Sequence, residues 1–179
     1  MVSSYEPSEE RRDAHLGRFQ GIYARNCEVR RIPKREAAEF LSLHHVLGST
    51  SCRYAYGLYP LKGSYKGSLI AVSTFSGCRN IRFEGENPRT VRSYEWVRYA
   101  SLPGVRVQGG MGKTLARFVE EVHPGDVMSY ALVEKWKEGL PGEKPVGDAY
   151  RKLGFREEGR RSFAGGESVK FRLDLSDVK

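Results

Sequence analysis

The chain has 179 residues, 39% hydrophobic and 29% charged, which suits one domain with an apolar core and excludes a collagen, a coiled coil or a fully disordered chain. Thirty Lys and Arg stand against 22 Asp and Glu, a formal charge of +8 that favours anionic partners such as nucleic acid, phosphorylated cofactors or a membrane surface. Cys27, Cys52 and Cys78 form no CxxC pair, and there is no signal-like apolar segment and no run near the roughly 18 apolar residues of a membrane span, so a soluble intracellular protein with free thiols, no metal and no membrane partner is expected.

Residues 1–26 are polar and charged and read as a mobile arm or a peripheral helix, which leaves 27–179 as the folded domain. CEVRRI (27–32) alternates like a strand, and Pro33 suits the first turn of a helix. Ala37, Phe40, Leu41, His44 and Leu47 share a helical face over 33–47, closed by Gly48. YAYGLY (54–59) and SLIAVSTF (68–75) flank a turn-forming LKGSYKG segment and predict a hairpin. Residues 76–92 read as a loop carrying Arg79, Arg82, Arg89 and Arg92, ahead of a strand over SYEWVRYAS (93–101). VRV (105–107) runs into QGGMGK and then a helix with Leu115, Phe118, Val119 and Val122 on one face. A strand over DVMSYALVE (126–134), an irregular loop, a short helix around DAYRKLG and a final strand SVKFRLDL complete the chain. This mixed order, with no internal repeat, predicts an α/β (α+β) fold: one sheet with helices on its faces.

The most informative local feature is RVQGGMGKT (106–114). Glycines between a strand and a helix let backbone N–H groups turn toward an anion at the positive end of the helix. They equally suit a turn that only lets helix and sheet pack closely. A P-loop is excluded by spacing, because Val107 stands where its leading glycine belongs. The second feature is AYRKLGF (149–155), in which Tyr150 precedes Gly154 and Phe155.

Taken in order, the strand–glycine loop–helix unit and the later Tyr-x-x-x-Gly-Phe resemble the C-terminal part of the GNAT acetyltransferase fold. The resemblance implies a mixed, centrally splayed sheet with helices on both faces. It also implies acetyl-CoA or a related acyl-CoA, with its pyrophosphate on Gln108, Gly109, Gly110, Met111, Gly112 and Lys113, and Tyr150 as the acid that protonates the leaving thiolate. The family loop reads Gln or Arg, two residues, Gly, one residue, then Gly or Ala; counted from Arg106, this chain has Met111 in the last place unless Gly112 shifts the register.

A narrower likeness spans roughly residues 36–156. FLSLHHVLGS (40–49), YGLYP, SLIAVSTF, YEWVRYAS, VQGGMGKTLARFV, VMSYA and YRKLGF are together similar to phage GNAT-like proteins and their cellular relatives, the Mom-like DNA-modification group. That likeness implies catalytic or binding roles for Glu95 and Arg98 on the YEWVRYAS strand and for the pair His44 and His45, with His45, Arg98 and Ser129 on the substrate side. An aspartate is expected after VMSYA, but Leu132 occupies its place and Glu134 is the next carboxylate. Either Glu134 substitutes for it or activity is altered or lost.

Read from the residues alone, Glu95 is either a cleft-facing proton acceptor or a solvent-facing strand carboxylate, and Tyr150 either an acid or a packed aromatic. Arg98, three residues from Glu95, falls on the opposite face of an ideal strand unless a bulge intervenes. The arginines at 79, 82, 89 and 92, with Tyr94 and Trp96 to stack on an extruded base, form the basic and aromatic mixture that binds DNA or RNA, although scattered surface arginines give the same composition. Two functions are compatible with these patterns: an acyl-CoA-dependent N-acyltransferase acting on an amine, a nucleobase among the acceptors, or a catalytically silent GNAT-like module that binds nucleic acid.

Overall fold

The computed structural model describes residues 9–133, 146–164 and 166–177. A short helix α1 (Glu9–His15) is followed by strand β1 (Gln20–Tyr23), a 3-10 turn over Ala24–Asn26 and strand β2 (Cys27–Arg31). Pro33, with φ fixed near the helical value, caps α2 (Lys34–His44), and His45 ends it in an extended conformation. Strands β3 (Tyr54–Pro60) and β4 (Ala71–Phe75) form the expected antiparallel hairpin. Strand β5 (Arg79–Phe83), the long β6 (Arg89–Ser101) and β7 (Val105–Gln108) lead into helix α3 (Gly110–Val122). Strand β8 (Asp126–Leu132), helix α4 (Asp148–Lys152), β9 (Arg156–Phe163) and β10 (Gly166–Asp174) complete the described chain.

The main sheet runs β2-β3-β4-β6-β8-β10-β9, with β5 also paired to β6. All of its pairings are antiparallel except β6 with β8. Helices cover both faces because successive strand residues point to opposite sides. On one face α2 buries Phe40 and Leu41 against Ile32, Ala55, Val72 and Ala100. On the other, Leu115 and Phe118 of α3 pack on Tyr56, Phe75, Tyr94 and Trp96. Phe118 is fully buried and stacks on Phe75 with ring centroids 4.0 Å apart. Full burial of such a side chain stabilises the fold by about 1.5–3 kcal/mol.

Three expectations change. The folded part begins before Cys27: β1 pairs in parallel with β7, and Ala24 is buried beside Cys27, Leu58 and Val107, so residues 20–26 belong to the folded domain rather than to an arm. Residues 79–92 are not a loop but the β5–β6 hairpin, from Arg79↔Ser93 to Phe83↔Arg89. Strand β9 was not expected at all; every one of its residues is exposed, so it lacks the apolar alternation by which a half-buried strand is read.

Candidate active site

The parallel pairing of β6 with β8 covers only Ser93↔Asp126, Tyr94↔Val127 and Glu95↔Met128. Beyond Glu95 the strands part, while the opposite edge of β6 stays paired to β4 as far as Ser101. The next position of the ladder is filled by a side chain. Buried Ser129 donates to the Trp96 carbonyl at 2.9 Å, where a backbone amide would otherwise bind. Its oxygen also lies 2.9 Å from the Tyr150 hydroxyl. A carbonyl can only accept, so the Ser129 proton is committed to Trp96 and the Tyr150 O–H donates to Ser129. Ser129 is therefore a wedge in the splay that holds Tyr150, rather than a group presented to substrate.

Tyr150 stands on the short helix α4, stacked on Phe171 and edge-on to Trp96 and Phe155. Burial raises its pKa, outweighing the opposing effect of the Arg98 charge. The phenol thus keeps its proton at and above neutral pH. Burial lowers the pKa of Arg98, with Glu95 and Tyr150 pulling the other way, so these three groups lie within electrostatic reach of one another.

The bulge that Arg98 requires is present. The β4–β6 register runs Phe75↔Trp96 and then Thr74↔Arg98, so Val97 is an extra residue in β6. This places Arg98 on the same side as Glu95, and both line one cleft of about 620 Å³. Arg53 and Arg79 line it too. Arg79 reaches the Glu95 carboxylate at 3.7 Å. The segment after α2 closes over Arg98, whose guanidinium donates to the carbonyls of Gly48 at 3.4 Å and Val97 at 2.8 Å.

The glycine loop ends at Gly109, which adopts φ 78°, a left-handed value that side chains rarely tolerate. Helix α3 starts at Gly110. A Cβ there would lie 2.4 Å from the Tyr99 hydroxyl and 3.0 Å from Val107, so only glycine fits. A Cβ at Gly112 would press on Leu153 at 3.1 Å. By this geometry the two glycine places of the loop fall on Gly110 and Gly112, which leaves Val107 where the family has Gln or Arg. Met111, between them, packs against the aromatic core. No side chain caps α3, so the amides of Gly110, Met111 and Gly112, its first three, are open to an anion.

Other candidate residues lie elsewhere. The Lys113 ammonium points away from this helix end, donating to the carbonyls of Cys27 and, at 2.9 Å, Ala24. Gln108 is exposed, and its side-chain amide lies close to Gly21 of β1. His45 Nδ1 accepts the Leu47 N–H at 3.0 Å and so caps the end of α2, while His44 stands edge-on to Phe40. Tyr94 and Trp96, expected to stack on a base, are buried at 2% and 1% exposure in the α3 core and cannot do so. Glu134 lies outside the described residues. Among those described, no cluster of three or more His, Cys, Asp or Glu could hold a metal, and no helix is long and apolar enough to cross a membrane.

Sequence reasoning missed Arg53 and Tyr99. Arg53 sits one residue before β3 and carries no local signal, whereas Tyr99 was within an expected strand and bears on the candidate site only by limiting the space at Gly110.

The chain matches no family profile and no curated protein by sequence. Its fold does match solved structures. NAA60 of Arabidopsis thaliana in complex with acetyl-CoA aligns with TM-score 0.59 at 11% identity, covering 83% of this chain and 99% of that one. A variant of the spermidine N-acetyltransferase SpeG of Vibrio cholerae aligns at 0.57 and 13%, covering 85% and 95%. The ribosomal-protein-S5-alanine acetyltransferase of Vibrio fischeri aligns at 0.54 and 13%, covering 86% and 96%. A GNAT-family acetyltransferase of Bacillus anthracis also aligns, at 0.51. These likenesses establish the GNAT-type fold of the chain.

Proposed function

We propose that the protein is an acyl-CoA-dependent N-acyltransferase whose acceptor amine belongs to a nucleobase. The observation that carries the first part is the conjunction of an uncapped, glycine-walled helix end with the open edge of β6 and a protonated tyrosine between β6 and β8. The residues fit a coenzyme A pyrophosphate: three free amides face it at the positive end of α3, and Gly110 leaves the space that a Cβ would fill. Two of the similar structures are complexes with acetyl-CoA or CoA.

When bound, acyl-CoA supplies a thioester whose carbonyl carbon takes the amine nitrogen and whose sulfur leaves as thiolate. Glu95, at the mouth of the splay, accepts the proton that the attacking amine loses, directly or through one water. Tyr150 gives its proton to the thiolate, and Ser129 keeps the phenol aimed. Backbone N–H groups along the unpaired edge of β6 stabilise negative charge growing on the carbonyl oxygen. Arg98, partly buried beside Glu95, orients the acceptor. With Leu132 at the end of β8, Glu95 is the carboxylate that serves the acceptor amine.

The nucleobase acceptor is supported by the Mom-like sequence motifs, the formal charge of +8 and Arg79 of the β5–β6 hairpin in the cleft. Calorimetric titration with acetyl-CoA of the wild-type protein and of Gly110→Val tests the cofactor. The expected outcome is micromolar binding that the variant loses while its circular dichroism spectrum persists. Absence of binding by the wild type, to acetyl-CoA and to CoA alike, overturns the reading and leaves nucleic-acid binding without catalysis. Acylation assays with single-stranded DNA and with free amines then test the acceptor.

A further inference from the structure

We infer that the cleft beside Glu95 is an anion site, built to hold a phosphate group of the acceptor between the guanidinium groups of Arg53 and Arg79 while the amine meets Glu95. The inference rests on the reading of this cleft as the acceptor side.

The charge count points that way. Three guanidinium groups, Arg53, Arg79 and Arg98, line the cleft against one carboxylate, Glu95. Among the described residues, neither Arg53 nor Arg98 forms an ion pair with a carboxylate, and the Arg79–Glu95 contact is long at 3.7 Å. The surplus is therefore not neutralised within the described protein. Arg98 is partly buried and held by two carbonyls, so it is a fixed positive charge at the base of the cleft. Arg79 has 61% of its side chain exposed. Guanidinium groups offer paired N–H donors that match phosphate oxygens better than a single distant carboxylate oxygen does.

The neighbouring chain adds room and donors. Gly77 brings bare backbone opposite Arg53, with a Cβ at that glycine 4.0 Å from the arginine's own, and Thr50 and Ser51 add hydroxyls to the lining. A polyamine acceptor, itself cationic, meets three guanidinium groups and one carboxylate in this cleft. An amine carried next to a phosphate brings the complementary charge. The phosphate can belong to a free nucleotide or to the backbone of a polynucleotide, and the two differ in how many phosphates they present.

The test is equilibrium titration of the full chain, saturated with CoA to occupy the helix end, with a deoxynucleoside, its 5′-monophosphate, a single-stranded hexanucleotide and spermidine. The expected result is at least tenfold tighter binding of a phosphate-bearing probe than of the deoxynucleoside. That preference should fall about tenfold in Arg53→Gln and in Arg79→Gln, and less than twofold in Arg82→Gln, which lies on the opposite face of the hairpin. All three side chains are solvent-exposed, and a thermal melt confirms that each variant folds. Equal binding of monophosphate and hexanucleotide assigns the site to a free nucleotide; tight binding of the hexanucleotide alone assigns it to a polynucleotide. No preference for phosphate, or tighter binding of spermidine, overturns the anion site. Failure of CoA to bind, with phosphate binding still dependent on Arg53 and Arg79, removes the acyltransferase reading and leaves the anion site standing.

Discussion

On one face of β6, Tyr94 lies against Phe118 of α3 and Trp96 against Phe75, which stacks on Phe118; on the other, Glu95 and Arg98 share an open cleft with Arg53 and Arg79. The first face is closed by packing and contributes stability, whereas the second carries three positive charges and a carboxylate. One extra residue, Val97, connects the two. Without it Arg98 would alternate onto the aromatic face, where an unpaired charge is costly. The well-packed face holds the strand while the bulge re-aims one side chain, so charge collects on the cleft face without disturbing the core.

This contrast can be broken at several points. The largest effect is expected from Tyr150→Phe, which removes only the hydroxyl that Ser129 holds: kcat for acyl transfer should fall by about 10²–10⁴-fold with the affinity for CoA nearly unchanged. Single-turnover kinetics checks it, and unchanged turnover removes Tyr150 from the mechanism.

Next is the buried ion pair at the start of β8. Asp126 accepts from the Arg172 guanidinium with side-chain exposures of 3% and 13%, and while Arg172 also pairs with Glu158, Asp126 has no second side-chain partner among the described residues, so Arg172→Ala strands a buried carboxylate. Equilibrium unfolding in urea should show a loss of about 3–5 kcal/mol. A smaller loss is expected from Lys113→Met, about 1–3 kcal/mol, because two carbonyls near β1 lose their donor. CoA affinity should change little in that variant; a large change would return the Lys113 ammonium to the phosphate site.

The smallest effect concerns pH. Burial raises the pKa of Tyr56, Tyr99 and Tyr150, with Glu121 adding to the effect at Tyr56 and Cys27 at Tyr99. Above about pH 10 the unfolded chain binds fewer protons at these phenols than the folded one, so stability is full below that pH and declines as pH rises through the folded-state values. Urea midpoints measured from pH 8 to 11 should hold steady and then drop; a steady midpoint throughout would show the phenols to be solvated.

Much of this site was legible because its parts are local. The glycine loop and the following helix announce themselves by spacing, and Tyr150 by its place before Gly154 and Phe155. The bulge at Val97 was identifiable only as a requirement, since nothing in YEWVRYAS marks the extra residue. Residues 20–26 and 79–83 were misread for a related reason: short strands with few buried residues lack a strong period and gain their structure from partners distant in sequence.

The sequence by itself determined which segments could form the sheet, where a helix would begin with open amides, and that the surface would favour anions, because backbone preference, side-chain period and charge are properties of the chain itself. Only the tertiary structure decided that β6 and β8 part after Glu95, that Arg98 turns to the same side as Glu95, that Lys113 serves the turn leading into β2, and that Arg53 joins a cleft with residues more than twenty positions away. Those outcomes depend on strand register and on contacts between remote segments, which are settled when the two faces of the sheet pack together and not before.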